Sequence, residues 1–234
     1  MFKQYLTKRS LAFMAVFVVL GLGALQIQLT NLAGSGAKFT MYDAFAPIAG
    51  AFLGSVPGLI TVFLMQFFNF LIHGADILDN GTIIRFFPIL FATLAFARKN
   101  ILLSWGVPLV AMIAFIAHPI GQTVWYFPLL WTIPMIAYFF RDRFLLARAL
   151  GATFTAHAVG GMLWIYTFHT PALVWQSLIP IVLMERFLFA LGIAGSYLLI
   201  NNLLYILEQK HILKWHIALD RKYLLPGLKQ SSTH

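Results

Sequence analysis

Apolar residues run almost unbroken between short interruptions of glycine, proline or charge, at about residues 10–30, 41–54, 55–74, 82–98, 101–118, 119–140, 149–168 and 177–207. A helix needs about 20 apolar residues to cross roughly 30 Å of hydrocarbon, and most of these runs approach or exceed that length. The pattern predicts an all-α fold, a polytopic transmembrane helical bundle of six to eight spans, with eight preferred. The run 41–54 is the short one: as a helix it rises only about 21 Å, so it either crosses incompletely or re-enters. Residues 1–207 form one helical domain, and 208–234 a basic tail. In that tail Ile212, Trp215, Leu219 and Tyr223 recur at helical spacing opposite Lys210, Lys214, Arg221 and Lys222. The spacing fits an amphipathic helix on an anionic inner leaflet and equally a solvated helix end.

Composition sharpens the class. Of the 234 residues 61% are hydrophobic and 10% charged, and the mean hydropathy is +0.85, values that belong to a chain shaped by lipid. The net charge of +9 would point to nucleic acid in a soluble protein. Here its placement reports topology instead, and no nucleic-acid partner is expected. With eight crossings, Lys3, Lys8, Arg9, Arg98, Lys99, Arg141, Arg143, Arg148 and the basic tail all fall on one side, and only Lys38 lies in an opposite loop. By the positive-inside rule that side is the cytoplasm, so both termini are expected there, in a multi-pass protein of the cell membrane. The absence of cysteine excludes disulfides, thiol redox chemistry and thiolate metal sites. The basic start followed by Ser10–Leu29 resembles a signal peptide, but the apolar run is too long and lacks a small-x-small cleavage site, so it is read as a retained span.

Against this background the polar side chains inside the apolar runs carry the functional information, because each costs several kcal/mol in hydrocarbon unless paired or wet. On the expected topology Asp43, Asn69, His73, Arg85, His118, Gln122, Trp125, Trp164, Glu185 and Arg186 gather toward the outer ends of the spans, and His157 lies near the midplane. Such a gathering implies a hydrated or ligand-filled cavity opening outward. Neighbours on a helix point about 100° apart, so Glu185 and Arg186 each need another partner, and Arg85 is the expected partner of Glu185. Asp43 also reads as a helix N-cap, and His157 also reads as a neutral histidine bonded to a neighbouring helix. Ala46, Gly50, Gly54 and Gly58 recur every four residues and predict close helix packing, within the bundle or against a partner. No Gly-x-Ser-x-Gly elbow, His-Glu-x₂-His or paired-carboxylate motif is present. No catalytic residue, cofactor or metal site is therefore assigned, and an enzyme is not expected.

The stretch Phe39-Thr40-Met41-Tyr42-Asp43-Ala44-Phe45-Ala46-Pro47-Ile48-Ala49-Gly50, continuing through Gly54 to Gly58, resembles the substrate-binding S components of energy-coupling factor transporters. The shared features are a basic first helix, a loop, an Asp-containing short helix with Pro-x-Ala-Gly, and Gly-x₃-Gly opening the next helix. The match covers about residues 10–74. The resemblance implies a vitamin or micronutrient binder without catalytic activity, its substrate held near the outer face under loop 31–40. It also implies uptake driven by a separate transmembrane coupling protein and ATPase pair. Arg85, Arg186 and the histidines would suit a carboxylate or phosphate, and the tryptophans an aromatic ring. A proton-coupled secondary transporter using His157 and Glu185, or a non-catalytic assembly subunit, are the competing expectations.

Overall fold

A computed structural model of the chain describes residues 8–31, 38–73, 80–210 and 219–230. The chain is helical almost throughout. Helix α1 (Lys8–Gln26) ends earlier than the apolar run suggests, because Ile27-Gln28-Leu29-Thr30 alternates apolar and polar residues with the period of a strand. It forms a small antiparallel hairpin, β1 (Gln28–Asn31) with β2 (Lys38–Thr40), in which Gln28 faces Thr40 and Asn31 faces Lys38.

The run 41–54 is one bent, buried segment: α2 (Met41–Phe45), a 3₁₀ turn (Ala46–Ile48) and α3 (Ala49–Leu53). Pro47 opens the 3₁₀ turn, and Gly54 closes the segment at φ 89°, a conformation that favours glycine. The small residues let neighbouring backbones touch. A Cβ on Gly58 would lie 2.5 Å from the Gly50 Cα, and one on Gly50 would lie 2.8 Å from the Thr93 carbonyl oxygen. The segment is thus clamped between α4 (Ser55–His73) and α5 (Asn80–Ala97).

After α5 come a π-turn (Leu102–Gly106) and α6 (Val107–Ala117). The run 119–140, expected as one helix, is broken into α7 (Pro119–Thr123), a 3₁₀ stretch (Phe127–Thr132) and α8 (Ile133–Phe140). Prolines explain the breaks: His118 before Pro119 is forced into an extended conformation, and Pro128 and Pro134 each begin a new turn. Helix α9 (Leu145–Phe168) ends at His169, in the left-handed region, and α10 (Ala172–Gln209) follows Pro171. A 3₁₀ turn (Arg221–Tyr223) and α11 (Pro226–Gln230) complete the described chain.

Helix α9 is the axis, packed against α5, α6, α8 and α10. Around its first half, α1, the 41–53 segment, α4, α5 and the later part of α10 build one apolar core that includes Phe17, Phe52, Phe96 and Tyr197. Around its second half a smaller aromatic core unites Phe115, Phe127, Trp131 and Trp175. Among the described residues, α4 and α10 are long and apolar enough to cross a membrane, and 10–26, 41–53, 83–97, 102–117 and 127–140 are shorter apolar helices.

Four of the basic groups expected on one side, Lys99, Arg141, Arg148 and Lys222, meet at one end of this bundle. The Arg141 guanidinium donates to the Ala95 and Phe96 carbonyls at 2.8 and 3.2 Å, and Arg148 Nε donates to the same Phe96 carbonyl at 2.6 Å. These carbonyls end α5 and have no partner within the helix, so the arginines cap it. Burial and the neighbouring Arg148 charge push the Arg141 guanidinium down to about 10, which leaves it charged at neutral pH. Lys99 pairs with the Asp142 carboxylate, and Lys222 of the tail donates to the Asp142 carbonyl. The tail is packed here rather than apart from the bundle: Leu224 is buried, and Leu219 and Tyr223 touch the larger core. Ile212 and Trp215, the other half of the expected amphipathic face, lie outside the described residues.

Candidate binding cavity

Three helices that are mostly apolar each carry a polar or small-residue stripe, and the stripes face one another. On α4 it is Gln66, Asn69 and His73; on α9 it is Thr153, His157, Gly160 and Trp164; on α10 it is Val182, Glu185 and Arg186. Spacings of three and four residues put each set on one face of its helix. Together with α5 they enclose a cavity of about 470 Å³, within the range of small-molecule sites. On the α9 side the wall includes the small residues Ala156, Gly160 and Gly161. Phe39 and Thr40 of β2 with Tyr42 and Asp43 of α2 also line it.

The local sequence fixes the turn from β2 into α2. Asp43 Oδ2 accepts the Thr40 backbone N–H at 3.0 Å, so Thr40 is the N-cap and Asp43, the third residue of α2, completes a Thr-x-x-Asp capping box. Tyr42 is buried beside it, its hydroxyl donating to the Val62 carbonyl at 3.0 Å. At the other end of α4, Gln26 Nε2 donates to Asn69 Oδ1 at 3.2 Å, which ties α1 to the cavity wall.

Arg186 dominates the electrostatics. It is only 5% exposed, and its guanidinium lies over the Phe39 and Phe189 rings at 4.6 and 4.8 Å. Its Nε has no hydrogen-bond partner, and its Nη2 stands 3.9 Å from Glu185 Oε2, beyond hydrogen-bonding distance. The expectation that adjacent Glu185 and Arg186 turn away from each other is corrected here. Their Cα–Cβ bonds do diverge, but both side chains are long enough to bend back to ion-pair distance. Arg85 lines the same cavity, and Asp43 lies in the field of both arginines.

On the opposite flank of α9, the Trp131 indole donates to His157 Nδ1 at 2.9 Å. Trp131 is wholly buried in the aromatic core, packed edge-on against Phe115 at 5.4 Å. Trp175, whose own N–H donates to the Thr170 carbonyl, joins that core to the cavity wall. Among the described residues no group of three or more His, Asp or Glu side chains could hold a metal ion.

Of the eleven residues expected at a site, Asp43, Asn69, His73, Arg85, His157, Trp164, Glu185 and Arg186 line this cavity. His118, Gln122 and Trp125 do not. They belong to the proline-broken segment that packs with α6 and α10 on the far side of α9. His118 is buried there, its Nδ1 accepting the Ile120 N–H at 3.2 Å as the cap of α7, its ring 5.0 Å from Tyr166. Gln122 and Trp125 are exposed. Sequence reasoning missed Tyr42, Gln66 and Thr153. The signal for Gln66 was present, since it stands three residues before Asn69 and seven before His73 on an otherwise apolar helix. Of the loop expected above the site, residues 32–37 lie outside the described residues.

No protein-family model matches the chain, and comparison with curated proteins and with solved structures gave no match.

Proposed function

We propose that this chain is a membrane-embedded component that binds a small molecule between its helices and acts in its uptake together with an ATP-driven coupling module. The observation that carries the reading is the 470 Å³ cavity, in which polar side chains from α2, α4, α5, α9 and α10 converge. A protein needing only helix packing would fill such a space, because voids forfeit dispersion contacts and cost stability. In this reading the apolar helices cross the cell membrane six to eight times, with both termini in the cytoplasm. The clustering of Lys99, Arg141, Arg148 and Lys222 at one end of the bundle supports an even number of crossings between them. The cavity then opens outward, and the short 41–53 segment stays inside the bundle.

A proton-coupled transporter is the second reading, favoured by one observation: His157 and Glu185 line the same cavity. Mass spectrometry of an extract of the purified protein should reveal a copurified small molecule. Uptake of that molecule into cells should stop when ATP is depleted and persist under an uncoupler. Loss under the uncoupler alone would assign it to the second reading, and a ligand-free preparation with no response to added solutes would remove the binding role.

A further inference from the structure

An indole N–H can only donate, so the bond from Trp131 to His157 requires an unprotonated Nδ1. The imidazole is therefore neutral, with its single N–H at Nε2. That nitrogen belongs to a residue lining the cavity, and Arg186 is near enough to act on the ring electrostatically. The arrangement is built in from the far side of α9. Gly161, one turn after His157, is the seat of the indole: a Cβ there would stand 2.7 Å from Trp131 Cζ2. Trp131 itself is wholly buried and outside the cavity, so its effect on a ligand passes through His157.

Charge narrows the ligand further. The described lining holds two guanidiniums, Arg85 and Arg186, and two carboxylates, Asp43 and Glu185, which offset one another. What the site offers beyond this balance is donor capacity: His157, its Nδ1 taken by Trp131, has its N–H at Nε2, and the buried Arg186 Nε has no acceptor. The rest of the wall is largely flat and apolar, with Trp164, Trp175, Phe39 and Phe86.

Building on the binding role proposed above, we infer that the cavity recognises a planar, uncharged ligand through a hydrogen-bond acceptor, a carbonyl or ring nitrogen, that meets His157 Nε2–H. Trp131 is the positioning residue that fixes His157 as the donor. A carbonyl or ring nitrogen satisfies the donor without adding a net charge to a balanced, buried site, whereas a ligand without an acceptor leaves the buried N–H unpaired.

The test uses isosteric probes on the purified full chain in detergent, read by quenching of tryptophan fluorescence after subtraction of micelle partitioning. Quinoline, which carries a ring nitrogen, should bind at least about tenfold more tightly than naphthalene, the ratio expected of one buried hydrogen bond. In Trp131→Phe, which keeps an aromatic ring but removes the donor, that preference should collapse. Equal binding of quinoline and naphthalene to the wild type would overturn the acceptor inference while leaving the cavity as a binding site. Tightest binding of 2-naphthoate would overturn the uncharged class, and binding of none of the three would overturn both the inference and the function it rests on. Because Trp131→Phe could misfold, ¹⁵N-histidine NMR of the wild type supplies an independent reading, with the His157 signals assigned by loss in His157→Gln. The Nε2–H tautomer is expected, and an Nδ1–H tautomer or a cationic ring would overturn the assignment.

Discussion

Asn201 and Asp220 exchange two hydrogen bonds: Asn201 Nδ2 donates to the Asp220 carbonyl at 3.0 Å, and the Asp220 N–H donates to Asn201 Oδ1 at 2.9 Å. The next asparagine repeats the device, since Asn202 Nδ2 donates to the Tyr223 carbonyl and its Oδ1 accepts the Leu225 N–H. A side-chain amide imitates a peptide group, so two asparagines on α10 hold the tail as a strand would. Each bond contributes about 1 kcal/mol, and a buried peptide group left unpaired costs more. Asn201→Ala should therefore release the segment around residue 220 without unfolding the bundle. Hydrogen exchange at Asp220 and Leu225 should accelerate by at least about tenfold in the Asn201→Ala, Asn202→Ala double variant; unchanged protection would show that Leu224 burial alone holds the tail.

Glycine positions separate packing from propensity. At Gly58 an added methyl would meet the Gly50 backbone at 2.5 Å, and backbone cannot swing aside. Gly58→Ala should destabilise by about 1–3 kcal/mol or more, seen as a lower thermal midpoint in detergent. Gly23, inside α1, has nothing within 4 Å of its added Cβ. Gly23→Ala should leave the midpoint unchanged or raise it, since alanine is favoured over glycine in a helix by about 1 kcal/mol. A drop at Gly23 matching that at Gly58 would argue against close packing as the cause.

Acid should loosen the end of the bundle where the tail docks. The Lys99 hydrogen bond and charge hold the Asp142 carboxyl below its ordinary value. A group depressed on folding adds stability that is fully present above its unfolded pKa, about 3.9, and is lost as pH falls through the lower folded value. Both side chains are substantially exposed, so solvent screening limits the effect to a few tenths of a kcal/mol. Asp142→Asn should lower stability slightly at pH 7, and the difference from wild type should vanish toward pH 2. A difference that persists there would assign the effect to something other than the charge pair.

The helices and most of the cavity wall were legible because both follow from cost. Apolar length marks a helix, and a lone polar group in such a run must face something wet or paired. That reasoning located Asn69, His157 and Glu185 correctly on the enclosed faces. It failed at His118, Gln122 and Trp125 because position along a run was taken for position in space, while Pro119, Pro128 and Pro134 turn that segment behind α9. The hairpin 28–40 was also missed, although Ile27 to Thr30 alternate. The link from Trp131 to His157 joins residues 26 apart across two helices, and one sequence cannot announce such a pairing.

Glu185 and Arg186 decide whether the buried charges serve packing or binding. Removing one member of a buried pair leaves an uncompensated charge and costs about 3–5 kcal/mol, whereas replacing both with apolar or neutral groups of similar size is often neutral. Glu185→Gln alone should therefore lower stability markedly, and Glu185→Gln with Arg186→Met should restore it to within about 1 kcal/mol of wild type. Methionine also covers the Phe39 and Phe189 rings over which the guanidinium lies. If the pair serves a ligand, the restored double variant should still lose the copurified molecule, measured by mass spectrometry on equal amounts of folded protein. Retention of that molecule at wild-type levels would make Glu185 and Arg186 a packing pair, and the donors of the site would then have to lie elsewhere on the wall.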